Sequence, residues 1–188
     1  MAPVVHQFDP PDRFIAGTVG PPGERTFFLQ ARAGNRVTSV ALEKEQVAVL
    51  AERIDALLDQ VMSEDVGAST VPPIAPLDLL DSEPLEQPID EEFRAGTMTL
   101  SWDPRDRRVV VEVFPRNEEI QIATDDAEEP EPPEIFLVRL EPGPARAFVY
   151  RAEQVIEAGR PGCPFCGEPI DANGHLCVRA NGFRRRDP

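Results

Sequence analysis

Lysine, histidine, cysteine and tryptophan are all scarce in this chain of 188 residues, and each scarcity closes off a class of function. Lysine occurs once, at Lys44, against 18 arginines, and histidine twice, at His6 and His175. The side chains most used for acid–base or covalent catalysis are therefore few, and no catalytic set is assigned from the sequence. No run of about 18 apolar residues is present, which excludes an ordinary membrane-spanning helix. The opening MAPVVHQFDPPDRF has neither the basic flank nor the apolar stretch of a secretory signal, so a cytoplasmic location is expected. Bases are short overall: 34 Asp and Glu face 19 Lys and Arg, for a net charge of −15 and a pI near 4.5. A surface of that sign repels a phosphate backbone, so the protein as a whole does not coat nucleic acid.

What is present is unevenly placed. Residues 64 to 92 hold nine acids and no base, and residues 118 to 134 hold eight acids and no base. These two segments carry −9 and −8, which leaves +2 for everything else, and that excess sits after residue 159. There Arg160, Arg179, Arg184, Arg185 and Arg186 outnumber Glu168, Asp171 and Asp187. Residues 124 to 134 (TDDAEEPEPPE) combine like charges with prolines and read as a solvated, self-repelling loop. Residues 66 to 89 interleave five prolines with Ile74, Leu77, Leu79, Leu80, Leu85 and Ile89. This proline-rich strap is expected to pack, either as a cover for one sheet face or as a lid or partner-binding segment.

Between these connections the hydrophobic patterning alternates strand and helix. Residues 13 to 20, 25 to 33 and 36 to 42 are short β-branched or aromatic runs separated by PPGE and GN turn signals, and they predict a three-stranded meander. Over residues 44 to 62, Val47, Leu50, Ala51, Ile54, Leu57, Leu58 and Val61 recur at the helical period. Residues 95 to 102, 107 to 114 and 135 to 141 predict strands again, and 144 to 158 a second helix with Ala145, Phe148, Val149, Ala152, Val155 and Ile156 on one stripe. One helix cannot cover both faces of three strands. The expectation is an α+β fold: two βββα units, 1–63 and 93–159, joined by the strap and sharing one core within residues 1–159, followed by a zinc-binding tail at 160–188. Two small independent domains are the other arrangement this order allows.

All three cysteines and one histidine fall within fifteen residues: Cys163-Pro-Phe-Cys166-Gly167, then Gly174-His175-Leu176-Cys177. A CxxCG turn can aim two thiolates at one point, and residues i and i+2 of an extended arm project to one side. The set predicts a structural Zn2+ site with Cys163, Cys166, His175 and Cys177 as ligands, and Asp171 as a substitute for one of the second pair. Three thiolates and a neutral imidazole around Zn2+ leave the site at −1, which the tail arginines can offset. A closed shell of this kind has no open position for water, so it folds the tail and hydrolyses nothing. An odd cysteine count argues against a disulfide framework, and the βαβ setting that would support a redox CxxC is missing. Phe165, Phe183 and the arginines of the tail allow nucleic-acid contact there alone, while a solvated basic terminus explains the same residues more simply.

Other motifs point to structure first. GTVGPPGE lacks the Gly-Lys-Ser/Thr of a phosphate loop and reads as a hairpin turn. Asp103 and Asp106 are explained by a DPRD turn, and Trp102 beside it by a core anchor. Arg105, Arg107 and Arg108 form a small basic cluster able to hold an anion, or to stand on a solvent-facing strand.

The segments DRFIAGTVGPPGERTFFLQA, GTMTLSWD and AGRPGCPFCGEPIDANGHLCVRANG give the whole chain the look of an actinobacterial family of about this length that carries only a domain-of-unknown-function label and a C-terminal CPxCG knuckle. The resemblance implies a cytosolic role, with genes near a histidine-phosphatase-like protein, a kinase-like protein and a mycothiol-pathway ligase, and it transfers no catalytic residues. The function expected is that of a non-catalytic zinc protein serving a protein partner or small anionic ligand. An enzyme acting on a phosphorylated or other anionic molecule is one alternative, and a nucleic-acid-associated factor using the tail another. The oligomeric state is not legible.

Overall fold

A computed structural model describes residues 3–64, 70–116, 134–159, 162–170, 174–177 and 179. The chain is α+β, with seven strands and two α-helices among the described residues. Strand β1 (Val4–Phe8) is followed by β2 (Arg13–Val19), β3 (Thr26–Ala33), β4 (Arg36–Leu42) and helix α1 (Lys44–Glu64). After a short 3-10 turn at Leu77–Leu79 come β5 (Glu91–Asp103), β6 (Arg108–Pro115), β7 (Glu134–Leu140) and helix α2 (Pro142–Glu157). Neither helix is long and apolar enough to cross a membrane.

The strands form one mixed sheet in the order β1-β7-β6-β5-β4-β3-β2. Neighbours are antiparallel except β4 with β5 and β1 with β7, which run parallel. The local chemistry matches the turns. Gly20 and Gly23 take positive φ in the loop between β2 and β3, and Asp103 accepts the N–H groups of Arg105 and Asp106 between β5 and β6. Helix α1 starts with a side-chain cap, Gln46 Oε1 accepting the Glu43 N–H at 2.8 Å, and α2 with Pro142 at its first position.

Strand β1 was not expected from the sequence, and it changes the shape. It lies at the opposite edge of the sheet from β2, yet only residues 9 to 12 join them. In a flat sheet those edges stand about 29 Å apart, six spacings of ~4.8 Å. The connection reaches about 18 Å at most. The sheet therefore curls until its edges approach, and Phe14 of β2 comes to 6.3 Å from Phe136 of β7 between ring centres.

The curl creates an inner face. Phe8, Phe14, Leu29, Val40, Val111, Phe136 and Val138 point into it and meet Leu50, Ile54 and Leu58 of α1 and Phe148 and Ala152 of α2. Phe14 stacks on Phe148 at 4.6 Å. Trp102 is partly buried against this core. The outer face of β2, β3 and β4 carries a second cluster, Ile15, Phe28 and Ala41, and the strap covers it with Leu85 and Ile89. Burying side chains of this size stabilises by about 1.5–3 kcal/mol each, so the strap is part of the fold. Gly17 is required beneath it: a Cβ there would lie 2.5 Å from Leu85 Cγ.

Candidate functional site

The C-terminal segment leaves α2 where the Ala158 N–H closes on the Gln154 carbonyl at 2.9 Å. Two strand-like residues, Gly162 and Pro169, then pair across a tight loop. Inside it the Cys163 N–H donates to the Glu168 carbonyl and the Gly167 N–H to the Cys163 carbonyl, both at 2.8 Å. Gly167 takes φ +80° and Gly174 φ +82°, with open space where a Cβ would go. What both positions need is left-handed backbone. The loop folds the CxxC pair onto one side, and the extended arm from Gly174 brings His175 and Cys177 against it.

The four side chains named from the sequence meet: the ligand atoms of Cys163, Cys166, His175 and Cys177 all lie within 4.8 Å of one another. Cys166 Sγ is 3.2 Å from His175 Nε2. Tetrahedral Zn2+ with bonds of about 2.0–2.3 Å sets its ligands roughly 3.5–3.8 Å apart, so the cluster needs little adjustment to close on an ion. Cys163 and Cys177 are buried. The thiols influence one another's ionisation. Burial opposes a thiolate at Cys163, but the N–H groups of Phe165 and Cys166 and the two other thiols outweigh it and lower its pKa. At Cys166 the Glu168 N–H favours the thiolate, yet desolvation and the neighbouring thiols raise the pKa on balance. Three sulfurs and an imidazole nitrogen crowded this closely are the donors a divalent cation takes, and the set is compatible with zinc. Arg179 donates to the Phe165 carbonyl at 3.3 Å and so stands beside the site. Arg160, Asp171, Phe183 and Arg184 to Arg186 lie outside the described residues, as do 117 to 133 with most of the acidic loop.

Arg105, Arg107 and Arg108 share the β5–β6 turn but have separate partners. Arg108 pairs with Asp9 and approaches Glu141, Arg107 donates to Thr70 Oγ1 at 3.1 Å, and the exposed Arg105 uses its N–H in the turn. The turn's carboxylates serve Arg139, which reaches Asp103 and Asp106 at 2.7 Å and Asp9 at 2.9 Å. Hydrogen bonding from Arg139 holds the Asp103 carboxyl below its ordinary range.

A second set of arginines was not singled out from the sequence. Arg151 of α2 is buried and donates to the carbonyls of Ala16 (2.7 Å), Asp81 (2.6 Å) and Glu83 (2.7 Å) and to the Asp81 carboxylate (3.0 Å). Arg13 of β2 grips Asp81 with two nitrogens at 2.6 and 2.9 Å and donates to the Glu83 and Pro84 carbonyls. The Arg13 hydrogen bond lowers the pKa of Asp81 despite partial burial, with help from the Glu83 N–H. Gln30 bonds Glu86 both ways, accepting its N–H at 2.8 Å and donating to its carbonyl at 3.1 Å. At the other end Arg146 donates to the Pro72 carbonyl at 3.0 Å and pairs with Asp55 and Asp59 of α1. Isolated arginines in helix and strand patterns give no signal in the sequence that they face a strap. The one clue was that 21 prolines leave many carbonyls without a ladder to join.

Among curated proteins and among solved structures nothing matches the chain. A family model does match, from residue 6 to residue 177, which takes in all of the sheet but the first two residues of β1, both helices, the strap and the four clustered Cys and His side chains, and ends on Cys177. The chain belongs to the family described as protein of unknown function DUF3090.

Proposed function

We propose that this is a cytoplasmic zinc protein whose metal is structural and whose role is to bind a protein partner or small anionic ligand without chemical turnover. The observation that carries the reading is the convergence of three cysteines and one histidine within 4.8 Å. Cys163, Cys166, Cys177 and His175 Nε2 would fill a tetrahedral shell, so the metal supplies folding free energy to residues 162–179 and no activated water. The residues around the cluster also favour this reading. Phe165 and Leu176 flank it as exposed apolar groups, and among the described residues no carboxylate or second histidine stands within the ligand group to serve as a base. An anion site at Arg105, Arg107 and Arg108 would require Arg108 to give up Asp9.

The test is metal stoichiometry. Protein purified under reducing conditions is expected to hold one zinc per chain, measured by elemental analysis and by release to a chromogenic chelator. Cys163→Ser should abolish retention. Less than a tenth of an equivalent in the wild-type protein, after zinc supplementation, would end the proposal.

A further inference from the structure

Of the three sulfurs in the cluster, one is reachable from solvent. Cys163 and Cys177 are 6% and 5% exposed, whereas Cys166 is only half-buried. Their Sγ atoms belong to the same group, all within 4.8 Å of one another, so each thiol has the other two as neighbours. The chain has no further cysteine, and any disulfide within it must form among these three.

Cys163 and Cys166 are also spaced for such a bond. The turn between them is closed by the Gly167 N–H on the Cys163 carbonyl at 2.8 Å, with Gly162 paired to Pro169 behind it. Residues three apart across a tight turn have Cα atoms under about 7 Å apart, and a disulfide takes about 4.4–6.8 Å. Joining the pair asks for side-chain rotation and little movement of the backbone. A cysteine that senses oxidants is a thiolate, accessible, and beside a second thiol that resolves its oxidised form. Metal ligation keeps a thiol deprotonated, Cys166 has the access, and Cys163 is the neighbour.

We infer that Cys166 is the site at which a hydroperoxide oxidises the cluster, and that Cys163 then closes on it as a disulfide and frees the metal. The inference rests on the reading that the four side chains hold zinc. The Cys166 sulfur takes one peroxide oxygen as the O–O bond breaks, giving a sulfenic acid, and the departing hydroxide takes a proton from solvent. The Cys163 sulfur attacks that sulfenic sulfur. The S–S bond forms, the S–O bond breaks, and a second hydroxide leaves and is protonated. With hydrogen peroxide, two thiolates and two protons thus give one disulfide and two waters, and the two electrons come from sulfur alone. Only His175 and Cys177 remain as donors, half of a tetrahedral shell, so zinc leaves. The amide bonds that shape the knuckle are internal to it, so the sheet and the strap stay folded.

The test treats the zinc-loaded full chain with a molar excess of hydrogen peroxide and follows zinc released to a chromogenic chelator. Zinc should leave in step with two of the three thiols, and a thiol reductant with added zinc should restore both. The tryptic peptide ending at Arg179 carries all three cysteines. After alkylation it should show a Cys163–Cys166 disulfide and a label on Cys177, a result that needs no variant. Cys166→His keeps a Cys2His2 donor set and should release zinc at least about tenfold more slowly, whereas Cys177→His keeps the reactive pair and should release it as the wild type does. Zinc retained under peroxide, a sulfinic acid at Cys166 in place of the disulfide, or a disulfide through Cys177 overturns the inference and leaves the zinc reading standing. Wild-type release rates in Cys166→His, or resistance in Cys177→His, also overturn it. Zinc content is measured first, because untreated protein that holds none fails the metal reading itself and the inference with it.

Discussion

The strap and the knuckle are both stretches of irregular backbone, and they are held by opposite means. The strap has a long list of carbonyls to satisfy and borrows donors from elsewhere: Arg151 and Arg146 from α2, Arg13 from β2, Gln30 from β3. Its order is a property of the whole domain. The knuckle bonds mostly to itself, through the Cys163 and Gly167 amides and four clustered ligands within fifteen residues. Its order depends on whatever holds those ligands together. The strap should therefore fail only when the domain fails, and the knuckle should fail alone.

The most severe way to break this comparison is Arg151→Ala. It would leave the buried Ala16 carbonyl and the half-buried Asp81 carbonyl without their donor, while Glu83 keeps the bond from Arg13, and is expected to destabilise the domain by about 2–4 kcal/mol in urea unfolding. A loss under 1 kcal/mol would mean that the strap is not integral. Gly17→Ala comes next, at about 1–3 kcal/mol, because the new methyl enters the space of Leu85. Adding Leu85→Ala should make the pair less damaging than the sum of the single changes, and strict additivity would show that Gly17 matters for another reason.

A smaller effect is set by pH. Hydrogen bonding from Arg13 lowers the folded pKa of Asp81 below the unfolded value of about 3.9. A depressed carboxyl contributes stability that is present above the unfolded value and is lost as pH falls through the folded one. Urea midpoints should accordingly drop below about pH 4 in the wild type and drop less steeply in Asp81→Asn. Parallel curves would remove Asp81 from the account. The smallest expected change to the domain is chelation of the proposed zinc. It should open residues 162–179 to proteolysis while shifting the domain's urea unfolding free energy by under about 0.5 kcal/mol. A large shift would join the knuckle to the core and erase the contrast.

The same contrast explains how much was legible in the sequence. Helix α1, expected at 44 to 62, runs from Lys44 to Glu64, and β4 was placed at its observed bounds, because periodicity and turn residues act within a few positions of one another. The convergence of Cys163, Cys166, His175 and Cys177 into a possible metal-binding group was legible for the same reason: their spacing is local, and local chemistry brings them together. Strand β1 was missed because VVHQF is short and pairs only with β7, more than a hundred residues away. The start of β5 was set four residues late, since Glu91 and Glu92 look like loop until Glu91 is seen opposite Ser39 of β4. The clamp on the strap was illegible because Arg13, Arg146 and Arg151 look like ordinary solvent-facing charges in their own elements, and only the folded topology turns them toward Pro72, Asp81 and Glu83.

The pairing of β1 also bears on synthesis. Val4 lies opposite Glu134 and Phe8 opposite Val138, so β1 leaves a ribosome well over a hundred residues ahead of β7, the strand it pairs with. Through most of translation β2, β3, β4 and α1 can assemble while the N-terminal segment waits, with Phe8 still outside the core it will fill. Closure of the curled sheet is thus a late event of high contact order, and a nascent chain stalled before residue 134 should hold Val4–Phe8 open to a protease or chaperone long after the residues behind them have folded.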